Sequence, residues 1–191
     1  MGIWRPVHLT LYNHSRIDDF FVKQEAVSKE VAKVTNYIEV YSVDDNSTPV
    51  KVTVSFALPD EKNGTSEKIV TLTKGINKIA IPVEIHNPKL WMPNGWGDPY
   101  LYNFTVQIIN DSVVTAEKSH KIGLRNIRVV AEDDEYGRSF YFEVNGEPIF
   151  AKGANYIPGE IINTLQDDEY YEQLFDNVME ANMNMIRVWG G

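Results

Sequence analysis

The chain has 191 residues, a net charge of −9 and no cysteine, with 43% hydrophobic and 24% charged residues. Those values exclude disulfides and thiolate metal sites, and the dispersed Lys and Arg residues argue against nucleic acid as a partner. No run of about 18 apolar residues is present to span a membrane, and the length allows one large or two small domains.

The start, GIWRP (2–6) behind a Met, has no basic segment followed by an apolar one, so it does not read as a signal peptide. It reads instead as mid-protein material. Asn-x-Ser/Thr sequons begin at Asn13, Asn46, Asn63, Asn103 and Asn110. They would be glycan acceptors in a secreted eukaryotic protein. The simpler reading is that Asn, Ser and Thr crowd strand and turn sequences.

Up to about Ile122 the chain is written in strands. DDFFVKQ (18–24), KVTNYIEVYSV (33–43), VKVTVSFAL (50–58), SEKIVTLT (66–73), NKIAIPVEI (77–85), LYNFTVQII (101–109) and VVTAEKSHKI (113–122) are rich in Val, Ile, Thr and Tyr. Turn residues at 44–47, 63–64, 74–75 and 110–112 separate them. About seven short strands in roughly 110 residues predict an immunoglobulin-like β-sandwich, without the cysteines and core Trp of antibody domains. Pro82 places its strand at an edge or a bulge. The loop NPKLWMPNGWGDP (87–99) carries two Trp, and exposed Trp needs a cover. It is either a carbohydrate-stacking platform or, the preferred reading, an anchor on a neighbouring domain.

After Gly123 the style changes. NIRVVAE (126–132) predicts a strand, and FYFEVNGEPIF (140–150) predicts two strands around an Asn145-Gly146 type I′ turn. AKGANYI (151–157) predicts a short strand. DDEYYEQLFDNVMEAN (167–182) places Tyr171, Leu174, Phe175, Val178 and Asn182 on one helical face, with acids in the first turn. NMIRVW (184–189) predicts a buried strand with Ile186 and Val188 inward, almost at the end of the sequence. Strand, helix, strand with short connections is a βαβ unit with parallel strands. The commonest host for such units is the (β/α)8 barrel, which takes about 250 residues. About 40 residues follow the hairpin, so the sequence opens a barrel that it does not finish.

GIWRPVHL (2–9), LWMPNGWGDPYLYNFTVQI (90–108), KIGLRNIRVV (121–130), FYFEVNGEPIFAKGANYIPGE (140–160) and NMIRVWGG (184–191) occur in that order. Together they resemble the central part of a glycoside hydrolase family 2 enzyme of the β-mannosidase branch, over essentially the whole chain. The resemblance implies a mainly β fragment in three parts. Residues 1–9 would be the last strand of a jelly-roll sugar-binding-type domain, 10–123 the immunoglobulin-like sandwich, and 124–191 the truncated N-terminal part of a catalytic TIM barrel. It implies retaining removal of terminal β-linked mannose by two Glu about 5 Å apart. No position here matches either catalytic Glu, so the fragment alone is expected to be inactive.

For the whole enzyme, the resemblance assigns Arg187 to the nucleophile carboxylate, helping to keep it ionised. It assigns Trp189 to the border of the terminal-sugar subsite and Asn155 to the end of the first barrel strand. The structural alternatives are an Arg paired to some other carboxylate and a plain core Trp. Glu160, Asp167, Asp168 and Glu169 read as capping and solvation residues. His8, His14, His86 and His120 have no metal-ligand spacing, and the family chemistry needs no cofactor. The expected partners are β-mannosides and the rest of the parent chain, not nucleic acid or membrane. A bacterial periplasm, the extracellular space or a lysosome would each fit. Other readings are a stand-alone immunoglobulin-like carbohydrate-binding or adhesion module, or a family 2 hydrolase with another sugar preference, such as a β-glucosaminidase or β-galactosidase.

Overall fold

The computed structural model describes residues 6–43, 48–57, 63–157, 159–160 and 165–189. The first seven strands are β1 (Ser15–Val27), β2 (Val31–Ser42), β3 (Thr48–Ala57), β4 (Asn63–Leu72), β5 (Gly75–His86), β6 (Tyr102–Asn110) and β7 (Val113–Ile122). They form two antiparallel sheets, ordered β1-β2-β5 and β4-β3-β6-β7. Each was expected, although β1 begins three residues before the run that marks it in the sequence. The predicted turn at 44–47 lies outside the described residues.

Period-two alternation builds the core of this sandwich. Ala32, Val34, Ile38 and Val40 of β2 and Ile79, Ile81, Val83 and Ile85 of β5 are buried. So are Val50, Val52, Val54 and Phe56 of β3 and Tyr102, Phe104, Val106 and Ile108 of β6, and all belong to one apolar cluster. Burying each Val, Ile or Phe among these stabilises the fold by roughly 1.5–3 kcal/mol relative to exposure. Phe104 lies between Phe56 and Tyr102, at ring-centroid distances of 5.3 and 6.4 Å. Two polar residues, Asn36 and Ser42, occupy inward positions of β2, and Asn36 Nδ2 donates to the Ile81 carbonyl at 3.1 Å. Pro82 does lie on an edge strand: among the described residues β5 pairs only with β2, with Pro82 opposite Thr35. An edge strand loses no ladder bond when its outward N–H is missing.

Chain contacts separate two compact units. One comprises Leu11–Trp91 and Tyr100–Asn126, the sandwich; the other includes Met92–Pro99 and the chain from Ile127 onward. In the second unit, β8 (Ile127–Val130), β11 (Tyr141–Val144) and β12 (Glu147–Ile149) form a sheet in the order β12-β11-β8. Val130, Val144 and Ile149 are its buried residues. Asn145 and Gly146 join β11 to β12 with φ of 53° and 85°, the paired positive values that a type I′ turn demands. The hairpin of β9 (Asp133–Asp134) and β10 (Gly137–Arg138) was not expected, because two-residue strands carry no periodicity. Asp134 organises it, its Oδ1 accepting from the N–H groups of Tyr136 and Gly137 at 2.8 and 2.9 Å.

The unit continues through β13 (Gly153–Tyr156), α1 (Asp168–Glu180) and β14 (Met185–Val188), with β13 and β14 parallel as anticipated. Asp167 caps α1, its Oδ1 accepting from the Tyr170 N–H at 3.0 Å, and Asp168 and Glu169 complement the helix dipole. Two expectations need correction. β14 is not a buried strand: Met185 and Ile186 are half-buried, whereas Arg187 and Val188 are exposed. The apolar face of α1 is likewise only partly covered, with Leu174 and Val178 half-buried and Tyr171 and Phe175 exposed. The reason is common to both. Among the described residues β14 has a single neighbour in its sheet, and a parallel strand is buried only when others flank and cover it.

Of the strand expected at 2–9, residues 2–5 lie outside the described residues, and Pro6–Leu9 pair with no strand among the described residues. No described helix is long and apolar enough to cross a membrane.

Candidate functional site

Gly153 fixes how closely β13 and β14 approach. A Cβ at that position would lie 1.9 Å from the Met185 carbonyl oxygen, so only glycine lets the two backbones meet. The pairing then places Gly153 opposite Met185, Ala154 opposite Ile186, Asn155 opposite Arg187 and Tyr156 opposite Val188. Asn184 splices the entry to this pair. Its N–H donates to the Lys152 carbonyl at 2.8 Å, its Oδ1 accepts from the Lys152 N–H at 2.8 Å, and its Nδ2 donates to the Phe150 carbonyl at 3.0 Å. At the far end the Trp189 N–H donates to the Tyr156 carbonyl at 3.0 Å.

The register brings together two of the three expected site residues. Arg187 Nη1 donates to Asn155 Oδ1 at 3.1 Å, toward the C-terminal ends of the two parallel strands. Both side chains are exposed, and among the described residues Arg187 forms no ion pair. The guanidinium is held in orientation by a neutral amide.

Both residues border a groove of about 520 Å³ whose apolar wall includes Phe142, Ile149, Phe150, Ala154 and Met185. Trp189 does not line that groove; its indole is about half exposed (49%), so it is not a core tryptophan either. Asp167, Asp168 and Glu169 lie at the start of α1, and among the described residues none of them, nor Glu160, forms an ion pair with Arg187. Among the described residues no group of three His, Asp or Glu could hold a metal ion.

A polar cluster that the sequence did not reveal lies between β13 and α1. The Gln166 amide satisfies its neighbours best with its oxygen accepting from the Gly159 and Glu160 N–H groups, at 2.9 and 3.0 Å. Its NH2 group then donates to the Tyr171 hydroxyl at 3.0 Å. The Tyr170 hydroxyl, and then desolvation, push the Tyr156 phenol up to about 12. That contact falls short of hydrogen-bond geometry, which leaves the enclosed Tyr156 hydroxyl without a well-formed partner among the described residues. Nothing in the spacing of Tyr156, Gln166 and Tyr171 signals the cluster.

The tryptophan-rich loop resolves in two parts. Trp91 belongs with the sandwich, where its N–H donates to the Leu124 carbonyl at 2.9 Å and the Arg125 guanidinium lies 4.9 Å from its ring. Met92–Pro99 packs with the second unit: Asn94 Nδ2 donates to the Met183 carbonyl at 3.0 Å, and Asn145 Nδ2 lies 3.1 Å from Met92 Sδ. Trp96, the second Trp of the loop, is 41% exposed.

Residues 15–125 match the family described as glycosyl hydrolases family 2. All 191 residues align with β-mannosidase B of Aspergillus clavatus at 34% identity and of Aspergillus flavus at 31%, and in each case the chain spans 22% of the relative's length. Among solved structures, the β-D-mannosidase from Dictyoglomus thermophilum superposes with a TM-score of 0.89 at 32% identity, covering 100% of this chain and 23% of that one. The similarity thus runs through the sandwich, the hairpin and the parallel strand pair alike, and the chain belongs to glycosyl hydrolase family 2.

Proposed function

We propose that the chain is part of a retaining, exo-acting β-mannosidase-like hydrolase that removes terminal β-linked mannose. In this reading residues 1–9 end a preceding sugar-binding-type domain, 10–123 are the sandwich, and 124–191 open the catalytic barrel. The observation that carries it is Arg187: an exposed guanidinium at the C-terminal end of a parallel strand, oriented by Asn155 and without an acidic partner among the described residues. Catalytic barrels place their chemistry at that end of their strands.

A retaining glycosidase needs two carboxyl groups about 5–5.5 Å apart, one a nucleophile and the other an acid and then a base. A cation beside the nucleophile favours its charged form and so lowers its pKa. Arg187 would do this, while Asn155 holds the guanidinium in place without competing for the proton. The half-exposed Trp189 indole would offer an aromatic face to the C–H groups of the sugar. The carboxyl pair would come from the rest of the enzyme, because this chain covers 22% of its relatives' length and its acids near α1 are used as caps.

The test is hydrolysis by the full-length parent of aryl β-mannoside, β-glucoside, β-galactoside, β-glucuronide and N-acetyl-β-glucosaminide, beside the 191-residue chain. The reading expects the β-mannoside to be the best substrate of the whole enzyme, by kcat/KM, and no turnover by the chain alone. Preference for any other of these sugars would overturn the substrate assignment.

A further inference from the structure

Asn94 sits in the chain between β5 and β6, far in sequence from the parallel strands, yet it bonds to the peptide that leads into β14. We propose that Asn94 is a positioning residue that sets the strand carrying Arg187.

The turn that presents Asn94 is closed on itself. The Met92 N–H donates to the Asp98 carbonyl and the Trp96 N–H to the Pro93 carbonyl, both at 3.0 Å. Gly95 has φ of +77°, as the third residue of a type II turn requires, which places Asn94 second and projects its amide from a rigid corner. The acceptor is equally well fixed. Asn182 ends α1 at φ of 54°, with its N–H bonded to the Met179 carbonyl and the Met183 N–H bonded to the Val178 carbonyl. That pair of bonds is a Schellman motif, with Met183 as its final residue. Met183 is thus held through its N–H by the end of the helix and through its carbonyl by Asn94. The next residue is Asn184, whose three bonds tie β14 to the backbone before β13.

From Met183 to Arg187 the strand runs about 13 Å, at roughly 3.3 Å per residue. A slip of the peptide at Met183 therefore moves Arg187 along β14 and opens its 3.1 Å bond to Asn155. Asn94 bonds to the Met183 carbonyl and Arg187 to Asn155, so the effect of Asn94 on Arg187 is exerted through the strand. This inference rests on the β-mannosidase reading only for what Arg187 does once positioned; the strut itself stands on the bonds above.

The experiment uses the full-length parent enzyme with Asn94→Asp, which keeps the shape and removes the donor, and Asn94→Leu as a second variant. Amide hydrogen exchange is followed by mass spectrometry over residues 183–189, together with kcat, KM and the pH profile on an aryl β-mannoside. Exchange over that peptide is expected to rise about tenfold, with the sandwich peptides unchanged. A displacement near 1 Å can cost up to about 100-fold in rate, so kcat should fall at least tenfold, with KM within about threefold. The acid limb of the profile should move to higher pH, as is expected for Arg187→Lys, because a less well placed cation lowers the nucleophile's pKa less. A lower Tm with unchanged exchange over 183–189 and an unchanged acid limb would overturn the proposal. Should the unmodified enzyme not hydrolyse the β-mannoside, the functional reading fails, while the exchange measurement still decides the strut.

Discussion

Replacing Gly153 by alanine tests the parallel strand pair at its tightest point. The added Cβ would lie 1.9 Å from the Met185 carbonyl oxygen, 2.7 Å from the carbonyl carbon and 3.3 Å from Cα, all backbone atoms that cannot rotate away. Reaching even 3.0 Å requires β14 to move by about 1.1 Å. The Asn184 N–H bond to Lys152, the Lys152 N–H bond to Asn184 and the Asn184 amide bond to Phe150 lie between 2.8 and 3.0 Å, so that shift takes all three beyond hydrogen-bond range. At about 1 kcal/mol each, the loss is about 3 kcal/mol. Since 1.4 kcal/mol is a factor of ten, the amides of Met185 to Val188 should exchange about 100-fold faster in Gly153→Ala. The strands β3 and β6, which belong to the other compact unit, serve as the internal control. Exchange over β14 within about twofold of the unmodified protein would refute the close approach and the register built on it.

Three further outcomes are expected. Phe104→Ala removes a fully buried ring that packs against Phe56 and Tyr102, and should destabilise the sandwich by about 3–5 kcal/mol in urea unfolding. The Arg128 fork, at 2.6 and 2.8 Å, holds the Glu143 carboxyl below its usual range, so its contribution is present above the unfolded value of about 4.3 and lost as pH falls through the folded value. Glu143→Gln should therefore lower Tm at pH 7, and the gap to the unmodified protein should close below about pH 4. In the full-length enzyme, Arg187→Lys and Asn155→Ala remove two ends of one bond, so kcat/KM of the double variant should fall by less than the product of the single losses; multiplicative losses would mean that the bond has no role.

The strands were legible wherever packing has a period. Val34, Asn36, Ile38 and Val40 alternate because β2 faces a core on one side only, and that pattern survives in the sequence even with a polar residue inside it. Asn145-Gly146 was legible because few residue pairs accept two positive φ values. Arg187 entered through motif likeness and Asn155 through its place at a strand end, and their pairing required the register that Gly153 sets.

What was missed depends on contacts distant in sequence. Asn94 and Met183 are 89 residues apart, and an asparagine in a turn has many common roles. Asn182 carried a readable signal, an Asn between a helix and a strand, but the period assigned it to the helix when it is the left-handed residue that ends it. The burial of β14 was overread because apolar runs mark strands whether or not anything covers them.

The central claim is that this chain supplies the sandwich and the arginine-bearing strand of a retaining β-mannosidase whose catalytic carboxylates lie elsewhere in the enzyme. Mechanism-based labelling tests it most directly. The full-length enzyme, inactivated by a 2-deoxy-2-fluoro-β-mannosyl fluoride, would be digested and the labelled peptide located by mass spectrometry. The account predicts one glycosyl adduct, on a glutamate outside these 191 residues, formed much more slowly in Arg187→Lys. An adduct on Glu160 or any other acid within the chain, or no adduct while an isomeric sugar fluoride labels the enzyme, would contradict it.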